Sequence, residues 1–155
     1  MPNVTLAEAL EREHRQIDGG IETFVEGSSA VDPDAAPLRA ALGGLRRHIY
    51  LEELFLFPPL REAGMVMPIF VMQREHRQLW ATMDDLDAQL ADGAAFSTVR
   101  ETCAELLSQL DAHNSKEEPV IYTQADRVLT GKAGDELHAF LADGELPEGW
   151  APAQA

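Results

Sequence analysis

Apolar residues recur along this chain at steps of three and four, the period of a helix that buries one side. A first stripe runs Ala7, Leu10, His14, Ile17, Ile21 and Phe24, and a second runs Leu38, Ala41, Leu45, His48, Glu52 and Phe55. A third takes Ile69, Met72, His76, Leu79, Met83, Leu86 and Leu90, and a fourth Val99, Cys103, Leu106, Leu110, His113, Glu117 and Val120. No segment has the period-two alternation, rich in β-branched residues, that strands need. The punctuation agrees with four long helices. Thr5-Leu6-Ala7-Glu8 is a capping-box sequence and opens the first, which runs to about Gly27. The connector DPDAAP leads into the second, with Pro37 in its first turn and its end near Phe57, ahead of Pro58-Pro59. The third spans from near Pro68 to Asp92-Gly93, and the fourth begins near Ser97. Pro119 lacks an amide donor and predicts a kink or break. A shorter helix follows around Lys132 to Leu141, and GELPEGWAPAQA, without periodicity, reads as extended or mobile. The pattern therefore predicts an all-α fold, one domain over residues 1–145 and a flexible tail over 146–155.

Four histidines and two glutamates stand on these stripes where leucines are expected. They also repeat. REHRQ occurs at Arg12 to Gln16 and again at Arg74 to Gln78, while HIYLEE from His48 and HNSKEE from His113 both read H-x-x-x-E-E. In order the chain gives His14, then His48 with Glu52, then His76, then His113 with Glu117: half a pattern, twice. An unpaired buried carboxylate costs several kcal/mol, and two would repel one another. Protonated histidines can pair with the glutamates. A divalent metal satisfies neutral imidazoles and carboxylates together, and it accounts for His and Glu sharing a face at i, i+4. Six such donors suffice for two metals with bridging carboxylates. Iron suits them, with manganese or zinc as chemically acceptable substitutes.

Other candidates have plainer readings. A single core histidine is more often a hydrogen-bonded structural residue than a ligand, and His138, outside the four long helices, reads as a surface or packing residue. Cys103 reads as core packing, and Met65, Met67, Met72 and Met83 as gap-fillers. Glu13, Glu53, Glu75 and Glu118 each adjoin a proposed ligand, about 100° around the helix, and read as outer partners or solvated groups. Spacing does not decide whether Glu53 or Glu118 contributes.

Composition narrows the function. A chain of 155 residues, 45% hydrophobic, suffices for one buried core. Its net charge of −15, from 27 acidic against 12 basic residues, repels nucleic acid and anionic membrane surfaces. One cysteine makes no internal disulfide, and no secretory leader pattern is seen. The richest apolar run, LFLFPPL, falls far short of the roughly 20 residues that span a bilayer. A cytoplasmic protein with a small-molecule partner is expected, its oligomeric state left open.

At these residues the chain resembles the hemerythrin-like, or HHE cation-binding, domains. The likeness runs from His14 to about Gln124 and includes the order of the four histidine segments, both H-x-x-x-E spacings and the proline-bearing LFLFPPL. It implies an antiparallel up-down-up-down four-helix bundle with a short extra C-terminal helix, enclosing a non-heme di-iron centre. His14 and His48 would lie near one iron, His76 and His113 near the other, with Glu52 and Glu117 bridging. One departure matters. The oxygen-carrying members have a further histidine one turn after the third-helix histidine, and here that place is Trp80. The resemblance then implies an open or water-filled iron position, walled by Trp80, that favours reaction with a small ligand over reversible carriage. Three classes remain: a module that captures O2 or NO, an oxidoreductase that consumes peroxide or NO, and an iron-handling or iron- or oxygen-sensing protein without turnover. A ferritin-like carboxylate oxidase fits less well, because Glu-x-x-His is present only at Glu11 to His14 and Gln73 stands in that place before His76.

Overall fold

Thr5 opens the first helix as its sequence requires. The Glu8 amide donates to Thr5 Oγ1 at 3.1 Å, and the Thr5 amide donates to the Glu8 carboxylate at 3.2 Å. A capping box of this kind contributes about 1 kcal/mol. A second acid reinforces it from far along the chain: Asp126 accepts from the Leu6 amide at 2.8 Å and the Ala7 amide at 3.2 Å. In the computed structural model, which describes residues 4–27 and 34–152, every regular element is helical. Asp32 and Pro33 of the connector and the last three residues of the tail lie outside the described residues.

The helices are α1 (Leu6–Glu26), α2 (Ala36–Leu51), α3 (Phe57–Glu62), α4 (Val66–Ala91), α5 (Phe96–Glu117), α6 (Thr123–Val128) and α7 (Lys132–Asp143). Two π-helical segments, Glu52–Leu56 and Glu118–Tyr122, join α2 to α3 and α5 to α6. Pro58 and Pro59 therefore do not end their helix where the sequence predicts. A π turn has already shifted the hydrogen-bond ladder, with the Phe57 amide donating back to Glu52 O, and Pro58 and Pro59 fall in the first turn of α3. At Pro119 the expected break is found: α5 ends at Glu117 and the ladder changes to the π segment that contains the proline.

Past each π turn the buried positions lie four and five residues after the glutamate, at Leu56 and Phe57 and at Ile121 and Tyr122, and not three. Phe55 is only half-buried and Val120 is 46% exposed, while Phe57 and Tyr122 are fully buried in their stead. This corrects the ends of two stripes. Of the four methionines, only Met72 and Met83 enter the core, because α4 starts at Val66 and leaves Met67 on the surface.

The core has two apolar layers. One is built from Ile17, Ile21, Phe24, Leu42, Leu45, Met83, Leu86, Leu106 and Leu110. The other includes Leu6, Leu10, Leu51, Phe57, Leu60, Ile69, Met72, Ile121 and Leu137. His14, His48, His76 and His113 fall between the two layers along α1, α2, α4 and α5. α1 passes close to α2 at Gly20, where a Cβ would lie 2.9 Å from that of Ala41.

Arg47 fastens the far end of the chain to this body. Its guanidinium donates to the carbonyls of Phe140, Leu141 and Gly144 at the C-terminal end of α7 and to Glu13 of α1. Beyond α7 the segment expected to be a flexible tail places Trp150 against Tyr50 and Trp80, with ring centroids 5.1 Å and 5.6 Å away.

Candidate metal centre

The six side chains singled out by the sequence converge in the polar layer. His14, His48, His76 and His113 are buried, and Glu52 and Glu117 have no exposed surface. Each imidazole is held from outside through Nδ1: His14 by Glu118, His48 by Glu13, His76 by Glu53 and His113 by Glu75, all at 2.8 Å. A carboxylate at Nδ1 fixes the proton there and turns Nε2 to the centre. The four glutamates next to the proposed ligands are thus the outer partners of the histidines. Their carboxylates are anchored in turn, Glu13 by Arg47 and Glu75 by Lys116.

Each central carboxylate reaches both sides. Glu52 sets Oε1 at 3.0 Å from His76 Nε2 and Oε2 at 3.4 Å from His48 Nε2. Glu117 sets Oε1 at 3.1 Å from His14 Nε2 and Oε2 at 3.3 Å from His113 Nε2. Two four-donor sets result, His14, His48, Glu52 and Glu117 on one side, and Glu52, His76, His113 and Glu117 on the other. In each set the donor atoms lie within 4.8 Å of one another.

The electrostatics follow from this crowding. Burial opposes charge on His48, but Glu52 and then Glu13 outweigh it and raise the imidazole to about 10. Burial also opposes charge on His113, and Glu117 with Glu75 raises it to about 10. His76 is raised for the same reason by Glu52 and Glu53. Burial and Glu117 work against ionisation of Glu52, yet His48 and His76 hold it below the ordinary carboxylate range. Against burial, His113 and His14 hold Glu117 well below that range. Without metal, His48, His76 and His113 thus favour the imidazolium form and Glu52 and Glu117 the carboxylate form.

Tyr122 also belongs here, and the sequence reading missed it. Its Oη lies 2.8 Å from His14 Nε2, 2.9 Å from His48 Nε2, 2.6 Å from Glu52 Oε2 and 2.9 Å from Glu117 Oε1. The signal was the five-residue step from Glu117, which a strict helical period passes over. Trp80 is not where it was expected. Leu79, one residue earlier, lines the central cavity, while Trp80 carries the Arg46 guanidinium 4.7 Å from its ring centroid and packs on Trp150. His138 is exposed and Cys103 is buried in the apolar layer, as read from the sequence.

These residues fit a metal pair. Mixed imidazole and carboxylate donors suit iron, manganese and zinc. Glu117 Oε2 is buried and makes no hydrogen bond, although His113 Nε2 lies 3.3 Å away as a charged neighbour, so one donor atom of the second set is incompletely satisfied in the protein alone. A metal held there would supply what the ion pair lacks.

Over residues 5–125 the chain matches the family model of the hemerythrin HHE cation binding domain. It belongs to that family. No match was found among curated proteins or among solved structures. The hemerythrin domain matched thus contains all six converging residues and Tyr122. Among the described residues no helix is long and apolar enough to cross a membrane.

Proposed function

We propose that this protein is a non-heme di-iron hemerythrin whose centre binds or reacts with a small oxidant, O2, NO or H2O2. The observation that carries the reading is the sharing of Glu52 and Glu117 between two complete four-donor sets. His14 and His48 would hold one metal, His76 and His113 the other, and the two carboxylates both. Irons bound here supply paired one-electron redox steps to the ligand.

The chain's own residues set the conditions. Glu118, Glu13, Glu53 and Glu75 hold the four rings by Nδ1, which turns Nε2 to the centre, where a metal would replace its proton, and prevents ring rotation. The apolar layers above and below exclude bulk water and strengthen every interaction between them. Size selects the ligand. The central cavity, lined by the four histidines with Leu79, Leu110 and Asn114, offers about 10 Å³, room for one water. Asn114 lies on that lining with its Oδ1 buried and unpartnered, so it can accept a hydrogen bond from a protonated bound ligand.

Anaerobic reconstitution with Fe(II), followed by metal analysis and optical spectra before and after air, peroxide and NO, tests the reading. About two irons per chain, with new near-ultraviolet bands on exposure to one oxidant, is the expected result. Steady-state loss of peroxide or NO would make the protein an enzyme. Iron without any response to the three oxidants would favour an iron-handling or sensing role. Absence of bound metal would reduce the polar layer to a hydrogen-bond network.

A further inference from the structure

The repeat in the sequence is obeyed by the contacts. His14 corresponds to His76, Glu13 to Glu75, His48 to His113, Glu52 to Glu117 and Glu53 to Glu118. The pair His48–Glu13 in one half matches His113–Glu75 in the other. The two crossed pairs, His14–Glu118 and His76–Glu53, exchange with each other. Even the ring packing follows. Five residues beyond each shared glutamate an aromatic ring stacks on a histidine: Phe57 on His76 at 5.4 Å and 16°, Tyr122 on His14 at 5.1 Å and 29°. At this last pair the symmetry fails. One ring carries a hydroxyl and the other does not.

The hydroxyl is aimed at the donors. Tyr122 Oη lies within 2.6–2.9 Å of all four donor atoms of the His14/His48 set. A phenol has one proton to give and two lone pairs to accept with, so four close partners exceed its hydrogen-bonding capacity. Oη is thereby placed where it would meet a cation drawn to those four atoms. On the other side Phe57 offers no donor, and Glu117 Oε2 faces the His113 ring buried and without a hydrogen bond.

We propose that Tyr122, as a phenolate, is a further protein ligand to the metal of the His14/His48 set, so the two metal positions are unequal. The His76/His113 position, whose corresponding ring is Phe57 on His76, would then be one protein ligand short and the one left to an external ligand. The proposal rests on the di-iron reading. Metal binding exchanges the Tyr122 O–H bond for an oxygen–metal bond, the proton leaves to solvent, and no electron is transferred.

The test uses the whole protein loaded with iron and oxidised in air, with resonance Raman and visible spectra beside the iron assay. Wild type is expected to hold about two irons and to give a visible phenolate-to-ferric band with enhanced tyrosinate ring modes. Tyr122→Phe, which copies the residue of the other half, is expected to retain the irons and lose the band. Phe57→Tyr restores the symmetry, and it is expected to about double the band. Wild type with two irons and no tyrosinate modes overturns the proposal and leaves the di-iron reading standing; so does a band that persists in Tyr122→Phe. Wild type without iron overturns both. The Raman measurement on wild type decides the question even if either variant fails to fold.

Discussion

Arg47→Met removes the guanidinium that ties the C-terminal end of α7 to the metal layer, and its cost follows from the geometry. The side chain is 24% exposed and donates four hydrogen bonds: to Gly144 O at 2.8 Å, Leu141 O at 3.1 Å, Phe140 O, and Glu13 Oε2 at 3.0 Å. Fully buried bonds from a charged donor contribute about 1.5–3 kcal/mol each, and partial exposure brings these to about 1 kcal/mol. Methionine retains most of the apolar stem, so packing over Phe140 changes little. The three bonds to α7 then give a loss of about 3 kcal/mol. For a chain of this size that is a fall in Tm of about 10 °C. Glu13 loses its anchor as well, and the grip on His48 Nδ1 loosens, which is expected to weaken metal binding about tenfold. Thermal unfolding by circular dichroism, with and without metal, reads the first effect, and competition with a chelator reads the second. Arg47→Lys is expected to recover only a minor part, because one ammonium cannot serve four directions. A fall in Tm below about 2 °C for Arg47→Met would refute the view that this contact fastens α7 to the body.

His113→Ala is expected to lower iron content by about one per chain, whereas His138→Ala leaves it unchanged; equal losses would remove the basis of the ligand assignment. Metal uptake is expected to release protons, because His48 and His113 keep theirs to about 10 in the metal-free protein. The same shift fixes the stability profile: these imidazoles are raised above their ordinary 6.5, so their contribution is complete below that pH and is lost as pH rises toward about 10. A metal-free Tm that does not fall over this window would contradict it. Trp80→His is expected to leave the iron spectrum as it is and to lower Tm, since the ring contacts Arg46 and Trp150 rather than the centre; a changed spectrum would return Trp80 to the ligand pocket.

The inward stripes made the long helices and all six donors readable from the sequence, because burial of His and Glu at leucine positions has few explanations. The ends of α2 and α5 were not readable. A helical period of three and four carried past Glu52 and Glu117 selects Phe55 and Val120, and nothing local announces that the backbone takes a π turn instead. Tyr122 was lost for that reason, although setting the two halves side by side, Glu52 to Phe57 against Glu117 to Tyr122, would have exposed it. Trp80 failed differently. It does sit one turn after His76, but its direction is set by Arg46 and by Trp150, which lies in a segment with no period to read. The outer glutamates could be named as partners but not assigned, because His14 finds Glu118 and His76 finds Glu53 across helices.

The sharing of Glu117 also has a consequence in time. Both donor sets contain it, so while the chain is being synthesised neither set is complete until that residue has been added. A nascent chain ending before α5 is finished presents His14, His48 and His76 with Glu52 as its single shared carboxylate, so each set would still lack a donor. Joining His14 to Glu118 closes 104 residues of chain, at an entropic cost of about 4 kcal/mol beyond a constant. The centre would therefore be among the last parts to assemble, and a metal would enter a protein whose helices have already met.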